Sequence, residues 1–308
     1  MMSLIEIEGL RKEYRRLRGG RVRALDELDL EVSAGGVFGF LGPNGSGKTT
    51  TIRCLLGLVR PTSGKCRILG ADPTGHELTG VIGRIGSIVE TPAMHPGFSG
   101  RRNLEILGRI AGIPKSRTGE VLESVGLGDR ARDRVKTYSL GMKQRLGIAA
   151  ALLKDPELLI LDEPANGLDP AGIKEVRELV RRLGTQGRTV FVSSHILSEV
   201  KQTCDRVAIL SRGRCVAQGP VGSVLEAGRA SGVLVKVEDG PRAAAILKGA
   251  GIETTATNGR LRVDMNPAEG ARITKVLADA GIYLSELRPD EEDLEEVFLR
   301  LTQDERGE

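Results

Sequence analysis

Absences narrow the field before any motif is read. The 308-residue chain has no apolar run approaching the ~18–20 residues that a membrane span needs. Residues 1–23 contain no apolar core of a secretory signal, so the expectation is a soluble chain that is not exported. Aromatic residues make up only 3% of the chain, too few for an obvious base-stacking platform, and nucleic acid is weakly indicated. Histidines number 3 and cysteines 4 (Cys54, Cys66, Cys204 and Cys215), with no C-x-x-C spacing, which argues against a structural zinc site. Scattered thiols suit a reducing compartment.

Charge is present but uneven. Residues 225–308 hold 11 Lys/Arg against 17 Asp/Glu, a net −6, so the rest carries +10 of the whole-chain +4. A basic first part fits a polyanionic ligand such as a nucleotide, or an anionic membrane surface. The Arg-rich stretch 15–23 reads equally as a solvated charged surface.

One motif stands out. Gly42, Pro43, Asn44, Gly45, Ser46, Gly47, Lys48, Thr49 and Thr50 fit G-x-x-x-x-G-K-[ST], the phosphate-cradling loop. Its surroundings match the chemistry. Before it, residues 37–41 form a short apolar run that reads as a buried strand. After it, Ile52, Leu55, Leu56 and Val59 recur at helical spacing and form one apolar face. Glycines let backbone N–H groups approach phosphate oxygens, and a helix N-terminus favours an anion. In this arrangement Lys48 reaches the β- and γ-phosphates of ATP and the Thr49 hydroxyl ligates Mg²⁺.

The rest of the first part alternates strand and helix, which predicts an α/β layer architecture. Residues 4–35 read as strand, turn, strand. Residues 64–90 contain short strands, and 99–154 are mostly helical. A buried strand over 158–161 precedes a helix over 170–184, a strand over 189–193, a helix over 196–203 and a strand over 206–210. Near residue 220 the texture changes, and Pro220, Gly222, Gly228 and Gly232 read as linker punctuation. The expected domains are 1–222 and 223–308. The second reads as βαββαβ, the split ferredoxin-like order: strand 232–237, helix 241–250, strands 253–257 and 260–265, helix 267–280, strand 282–288. A final helix over about 291–302 presents Leu294, Val297, Phe298 and Leu301 on one face.

An acidic pair, Asp162 and Glu163, follows the 158–161 strand. In phosphate-loop NTPases a strand-end Asp holds Mg²⁺. Glu163 is then placed to orient or deprotonate the attacking water.

Between these motifs, residues 138–145 read Tyr-Ser-Leu-Gly-Met-Lys-Gln-Arg, and here the chain resembles the ATP-binding cassette (ABC) family. The segment is similar to that family's L-S-G-G-Q signature. Ser139 and Gly141 match it, while Leu140 and Met142 depart from it. The same variant is familiar in drug- and bacitracin-type exporters. The resemblance implies that Ser139 and Gly141 contact the γ-phosphate of ATP bound to a second copy. It implies that Tyr14 stacks on adenine, although Tyr14 reads equally as a half-buried strand tyrosine. Residues 166–169, ending in Asp169, look like the loop that communicates across the dimer. His195, after the 189–193 strand, matches the switch histidine that contacts the γ-phosphate. The family's metal-side Gln is replaced by Glu90, and no Gln occurs anywhere from 51 to 143. A carboxylate is a competent hard ligand for Mg²⁺. This change resembles bacitracin-resistance and lantibiotic-immunity exporters, and reads otherwise as a neutral replacement in another drug exporter.

The resemblance covers about 4–220. It implies a phosphate-loop NTPase cassette with a RecA-like core, an antiparallel β subdomain and a helical subdomain. A small α+β ferredoxin-like accessory or regulatory domain follows. The implied function is that of the ATPase of an exporter, acting with ATP and Mg²⁺ at the cytoplasmic face of the membrane. The partners are a separate permease, contacted through the region from Glu90 to about 125, and a second copy of the chain. No nucleic acid is expected. The alternatives are a soluble ABC ATPase acting on ribosomes or nucleic acid, and a sensor whose ATP turnover reports a drug to a regulator.

Overall fold

The structure, a computed structural model, describes residues 3–15, 19–89, 94–226, 232–257 and 259–289. Glu90 and the expected helix over 291–302 lie outside the described residues. Contacts divide the chain into two compact units between Val224 and Leu225.

In chain order the first unit contains β1 (Ser3–Arg15), β2 (Arg21–Ser33), β3 (Gly36–Leu41), α1 (Lys48–Leu55), β4 (Ser63–Ile68), α2 (Leu78–Val81) and β5 (Ile85–Ile88). There follow α3 (Gly100–Ile110), α4 (Lys115–Ser124), α5 (Leu140–Ala151), β6 (Leu158–Leu161), α6 (Pro170–Thr185), β7 (Thr189–Ser194), α7 (Leu197–Thr203), β8 (Arg206–Ser211), β9 (Arg214–Pro220) and α8 (Val221–Glu226), within which the division falls.

Two sheets share one core. The smaller is antiparallel, in the order β2-β1-β4. In β2, Leu28, Leu30 and Val32 are buried while Glu27, Asp29 and Glu31 are exposed, the period of a sheet wet on one face. The larger sheet runs β5-β6-β7-β3-β8-β9; its first five strands are parallel and β9 is antiparallel. Its inner strands have no polar face. All of Leu158–Leu161 is buried, as expected where helices cover both sides of a parallel sheet. Phe191 stacks on Phe38 at 5.8 Å between ring centroids and tilts against Phe40 at 5.1 Å, locking β7 to β3.

Two features differ from the sequence reading. β9 was not foreseen, because its residues are only half-buried and show no clean alternation. It forms because Arg212 and Gly213, at φ 45° and 82°, turn the chain back on β8. Pro220 and Gly222 flank and enter α8 rather than marking the start of a linker. Val221 and Val224 on this helix are buried.

The second unit contains β10 (Val233–Lys236), α9 (Gly240–Gly249), β11 (Thr254–Thr257), β12 (Arg260–Val263), α10 (Gly270–Asp279) and β13 (Glu286–Pro289). Its sheet is antiparallel, ordered β11-β12-β10-β13. Val233, Val235, Leu261 and Val263 face Ala243, Leu247, Ile273 and Leu277 in a closed core. The last strand starts later than the expected 282. Gly281, at φ 74°, ends α10, and Ile282 turns inward with its N–H donating to the Leu277 carbonyl at 2.8 Å.

Candidate functional site

The order β6-β7-β3 brings three strand ends side by side, and the chain delivers one chemical group from each. After β3 the loop Gly42–Gly47 wraps directly into α1. Gly47 sits at φ 110°, and a Cβ there would lie 2.7 Å from the Ala24 carbonyl oxygen, so the turn admits only glycine. Pro43, Asn44 and Gly45 form the exposed rim, while Ser46, Gly47 and Lys48 are buried beneath. Thr49 and Thr50 begin the helix, half-buried. The Lys48 ammonium, 5% exposed, donates to the Gly42 and Pro43 carbonyls at 2.6 and 3.2 Å and pairs with Glu163 Oε1 at 3.1 Å. The buried Ser46 hydroxyl has no hydrogen-bond partner among the described residues. Backbone N–H groups at the first turn of a helix, a lysine and an unpaired hydroxyl together suit an anion.

After β6 come the two carboxylates. Asp162 is buried; its N–H donates to the Ile88 carbonyl at the end of β5 at 2.9 Å, fixing it at the sheet's rim. Its Oδ2 accepts from the Thr49 hydroxyl at 2.8 Å, and its Oδ1 accepts from the Ser193 hydroxyl at 2.5 Å. Glu163 adopts the left-handed conformation, φ 50°, unusual for a non-glycine residue. Its N–H donates to Ser193 Oγ at 2.9 Å, and its Oε2 meets His195 Nδ1 at 2.5 Å. The sharp turn therefore sends Asp162 toward Thr49, and Glu163 toward Lys48 and His195.

After β7 comes His195. Its turn is held by Ser194, whose carbonyl accepts from the Gly42 N–H at 3.2 Å and whose hydroxyl donates to Glu199 at 3.1 Å. Burial pushes the Glu199 carboxyl above its ordinary range, while the Ser194 bond pulls it down. Behind Glu163 and His195 a small apolar cleft runs between α6 and α7, walled by Ile173, Val176, Val192 and Val200.

The donor set can be tested against Mg²⁺. Thr49 Oγ1 and Asp162 Oδ2 are hard oxygen donors already in contact, and no group of three His, Cys, Asp or Glu forms a cage among the described residues. An ion that keeps waters and takes substrate phosphates as ligands fits such a site. Glu90 lies just past the described end of β5, outside the described residues.

Ser139, Gly141 and Asp169 stand at the starts of α5 and α6. No hydrogen bond among the described residues joins Ser139 or Asp169 to Lys48, Glu163 or His195. Ser139 caps α5, its hydroxyl accepting from the Met142 N–H at 3.2 Å, and Asp169 caps α6 by accepting from Gly172 at 3.2 Å. The two helix starts are neighbours: a Cβ on Gly141 would lie 3.7 Å from Gly172 Cα. Leu140 between them is half exposed. Tyr14 is on β1 of the small sheet, 37% exposed, with the Lys12 ammonium 5.0 Å from its ring centroid. Ser193, which links the Asp162 carboxylate to the Glu163 backbone N–H, was missed by sequence reasoning. Its one signal is a hydroxyl near the end of the strand Thr189–Ser194, two positions before His195.

Comparison with known proteins places this geometry. A family model described as "ABC transporter" matches residues 25–166. The bacitracin transport ATP-binding protein BcrA of Bacillus licheniformis is 40% identical over 306 residues, covering 98% of each chain. The daunorubicin/doxorubicin resistance ATP-binding protein DrrA of Streptomyces peucetius is 38% identical, covering 97% of this chain and 92% of its own. Among solved structures, cbiO1 of Clostridium perfringens, part of the ABC transporter complex cbiONQ, superposes with a TM-score of 0.65. It is 26% identical over 73% of this chain and 92% of its own.

Proposed function

The chain belongs to the ABC transporter family as an ATP-binding subunit, and from that premise we propose that it hydrolyses ATP to drive export of a drug or peptide antibiotic through a separate permease. The observation that carries the chemistry is the contact of Glu163 with both Lys48 and His195, beside an Asp162–Thr49 pair. Cargo class rests on end-to-end similarity to BcrA and DrrA. Among the described residues no helix is long and apolar enough to cross a membrane, so the reading requires membrane partners.

ATP is the substrate, and each group has one task. The backbone N–H groups of the loop around Gly45 and Gly47 and of the start of α1 hold the phosphates, with Lys48 neutralising their charge. Tyr14 stacks its ring on adenine. Thr49 and Asp162, joined by Glu90, would hold Mg²⁺, which when bound neutralises phosphate charge in the transition state. The Glu163 carboxylate takes the proton of the attacking water. The water oxygen forms the new bond to the γ-phosphorus as the bond to the β-phosphate bridging oxygen breaks, giving ADP and phosphate. His195 fixes the orientation of that carboxylate through Nδ1 and leaves its other ring nitrogen for the γ-phosphate. Ser139, Gly141 and Asp169 face the nucleotide and surface of a second copy. The second unit acts as an accessory module.

The test is paired. Glu163→Gln is expected to lower ATP turnover by about 10²-fold or more while nucleotide binding persists. Tagged wild-type protein extracted in detergent from its host should bring down a multi-span membrane protein. Turnover unaffected by the substitution would overturn the chemical assignment, and recovery of ribosomes or nucleic acid instead would overturn the transport assignment.

A further inference from the structure

The phosphate loop is held from below by a contact that lies outside every motif. The turn between β8 and β9 inserts Gly213 between the loop and β2. Gly213 N–H donates to the Ser46 carbonyl at 2.8 Å, and the Gly213 carbonyl accepts from the Asp26 N–H at 3.0 Å. The fit leaves no room for a side chain. At φ 82°, a Cβ on Gly213 would lie 2.7 Å from Leu25 Cα and 2.8 Å from the Ala24 carbonyl oxygen. A Cβ on Gly47 would lie 2.7 Å from the same Ala24 carbonyl oxygen and 3.5 Å from Gly213 Cα. Loop, turn and β2 are therefore three layers in backbone contact.

The clamp that closes these layers is ionic. Asp26, its side chain 13% exposed, accepts from Arg214 Nη2 and Nε at 2.6 and 3.0 Å through Oδ2, and from Arg23 Nη1 at 3.1 Å through Oδ1. Arg11 Nε stands 3.9 Å from the same carboxylate. Arg214 follows Gly213 directly, and Asp26 is the residue whose N–H bonds Gly213. One side-chain pair thus repeats, one residue on, the tie that the backbone makes. Rigid carbonyls beneath the loop matter because an anion-binding loop works only if its N–H groups stay aimed without reorganising.

We propose that Asp26 and Arg214 are positioning residues for nucleotide binding. They pin the β8–β9 turn under Ser46, and through it set the geometry of the phosphate loop. Neither touches the nucleotide in this scheme; they act through Gly213. The inference rests on the ATP-binding reading above.

The full-length protein with Mg²⁺ and a fluorescent ATP analogue tests it. Wild type must first bind the analogue; if it does not, the ATP-binding reading fails and not the clamp alone. Arg214→Gln is expected to raise the dissociation constant about ten-fold and KM for ATP in step, with kcat within about two-fold, because the reacting groups are untouched. Arg214→Lys, which keeps the charge and loses the fork, should recover part of that loss. Asp26→Asn should behave like Arg214→Gln. A merely structural ion pair would lower the melting temperature and leave affinity and KM alone. That result in folded Arg214→Gln, or in Arg214→Lys and Asp26→Asn should the first variant not fold, overturns the proposal. So does a fall in kcat at constant KM.

Discussion

Ser193 is the residue that holds the Asp162–Glu163 turn together. Its hydroxyl donates to Asp162 and accepts from the Glu163 N–H, so Ser193→Ala leaves a strained backbone N–H without its partner and Asp162 short of a donor. The expected cost is a fall in kcat of about ten- to a hundred-fold, read by steady-state turnover, with Ser193→Thr close to wild type. Among the candidate groups, Lys48 was read from the phosphate-loop motif, Asp162 and Glu163 from the apolar run 158–161 before them, and His195 from the family resemblance and the strand before it. Ser193 was not legible, because a serine near the end of a strand carries no signal until the strand order places it opposite the β6 turn. Asp26 and Arg214 were hidden for a stronger reason. They are 188 positions apart, and nothing in either neighbourhood announces the other.

Elements were legible where the pattern was strong and lost where it was weak. α6 was expected over 170–184 and spans Pro170–Thr185, helped by an Asp169 cap and a proline in its first turn. β9 and α8 escaped because half-buried residues and a Pro–Gly pair resemble a linker. Two predictions belong at this scale. Asp169→Ala removes the α6 cap and should cost about 1 kcal/mol of stability, measured by denaturant unfolding. The second concerns acid. Hydrogen bonding by Arg214, against some burial, holds the Asp26 carboxyl below its ordinary range, and Arg188 does the same for Asp155. The unfolded chain therefore binds protons at these groups before the folded chain does. Their contribution is complete above the unfolded value, near pH 4, and is lost as pH falls through the lower folded value. Melting temperature should drop steeply below about pH 4, and Asp26→Asn should make that slope shallower.

At the scale of the whole molecule, the division near Val224 and the buried Val221 and Val224 of α8 locate a cut. A chain ending after Glu226 should unfold in one cooperative step and keep its nucleotide affinity, whereas one ending at 222 loses Val224 and should melt lower. Scanning calorimetry of the two distinguishes them. Thiol chemistry reports on the same core. Burial pushes the Cys66 and Cys204 thiols up to about 12 and Cys215 to about 11, and Cys54 is fully buried. A thiolate is the reactive form, so the native protein should label slowly with maleimide at neutral pH. All 4 cysteines should react once denaturant is added.

The bond between Lys48 and Glu163 makes holding and cutting reciprocal. One ammonium, 5% exposed, divides its field between the carboxylate and any phosphate that enters, while those two anions repel each other. Whatever strengthens its grip on substrate slackens its hold on the base. The protein that cannot finish the reaction should therefore let go most slowly. Release of labelled ATP from Glu163→Gln is expected to be slower than release of nucleotide from the wild type measured before turnover, and equal rates would mean that the lysine serves the two anions independently.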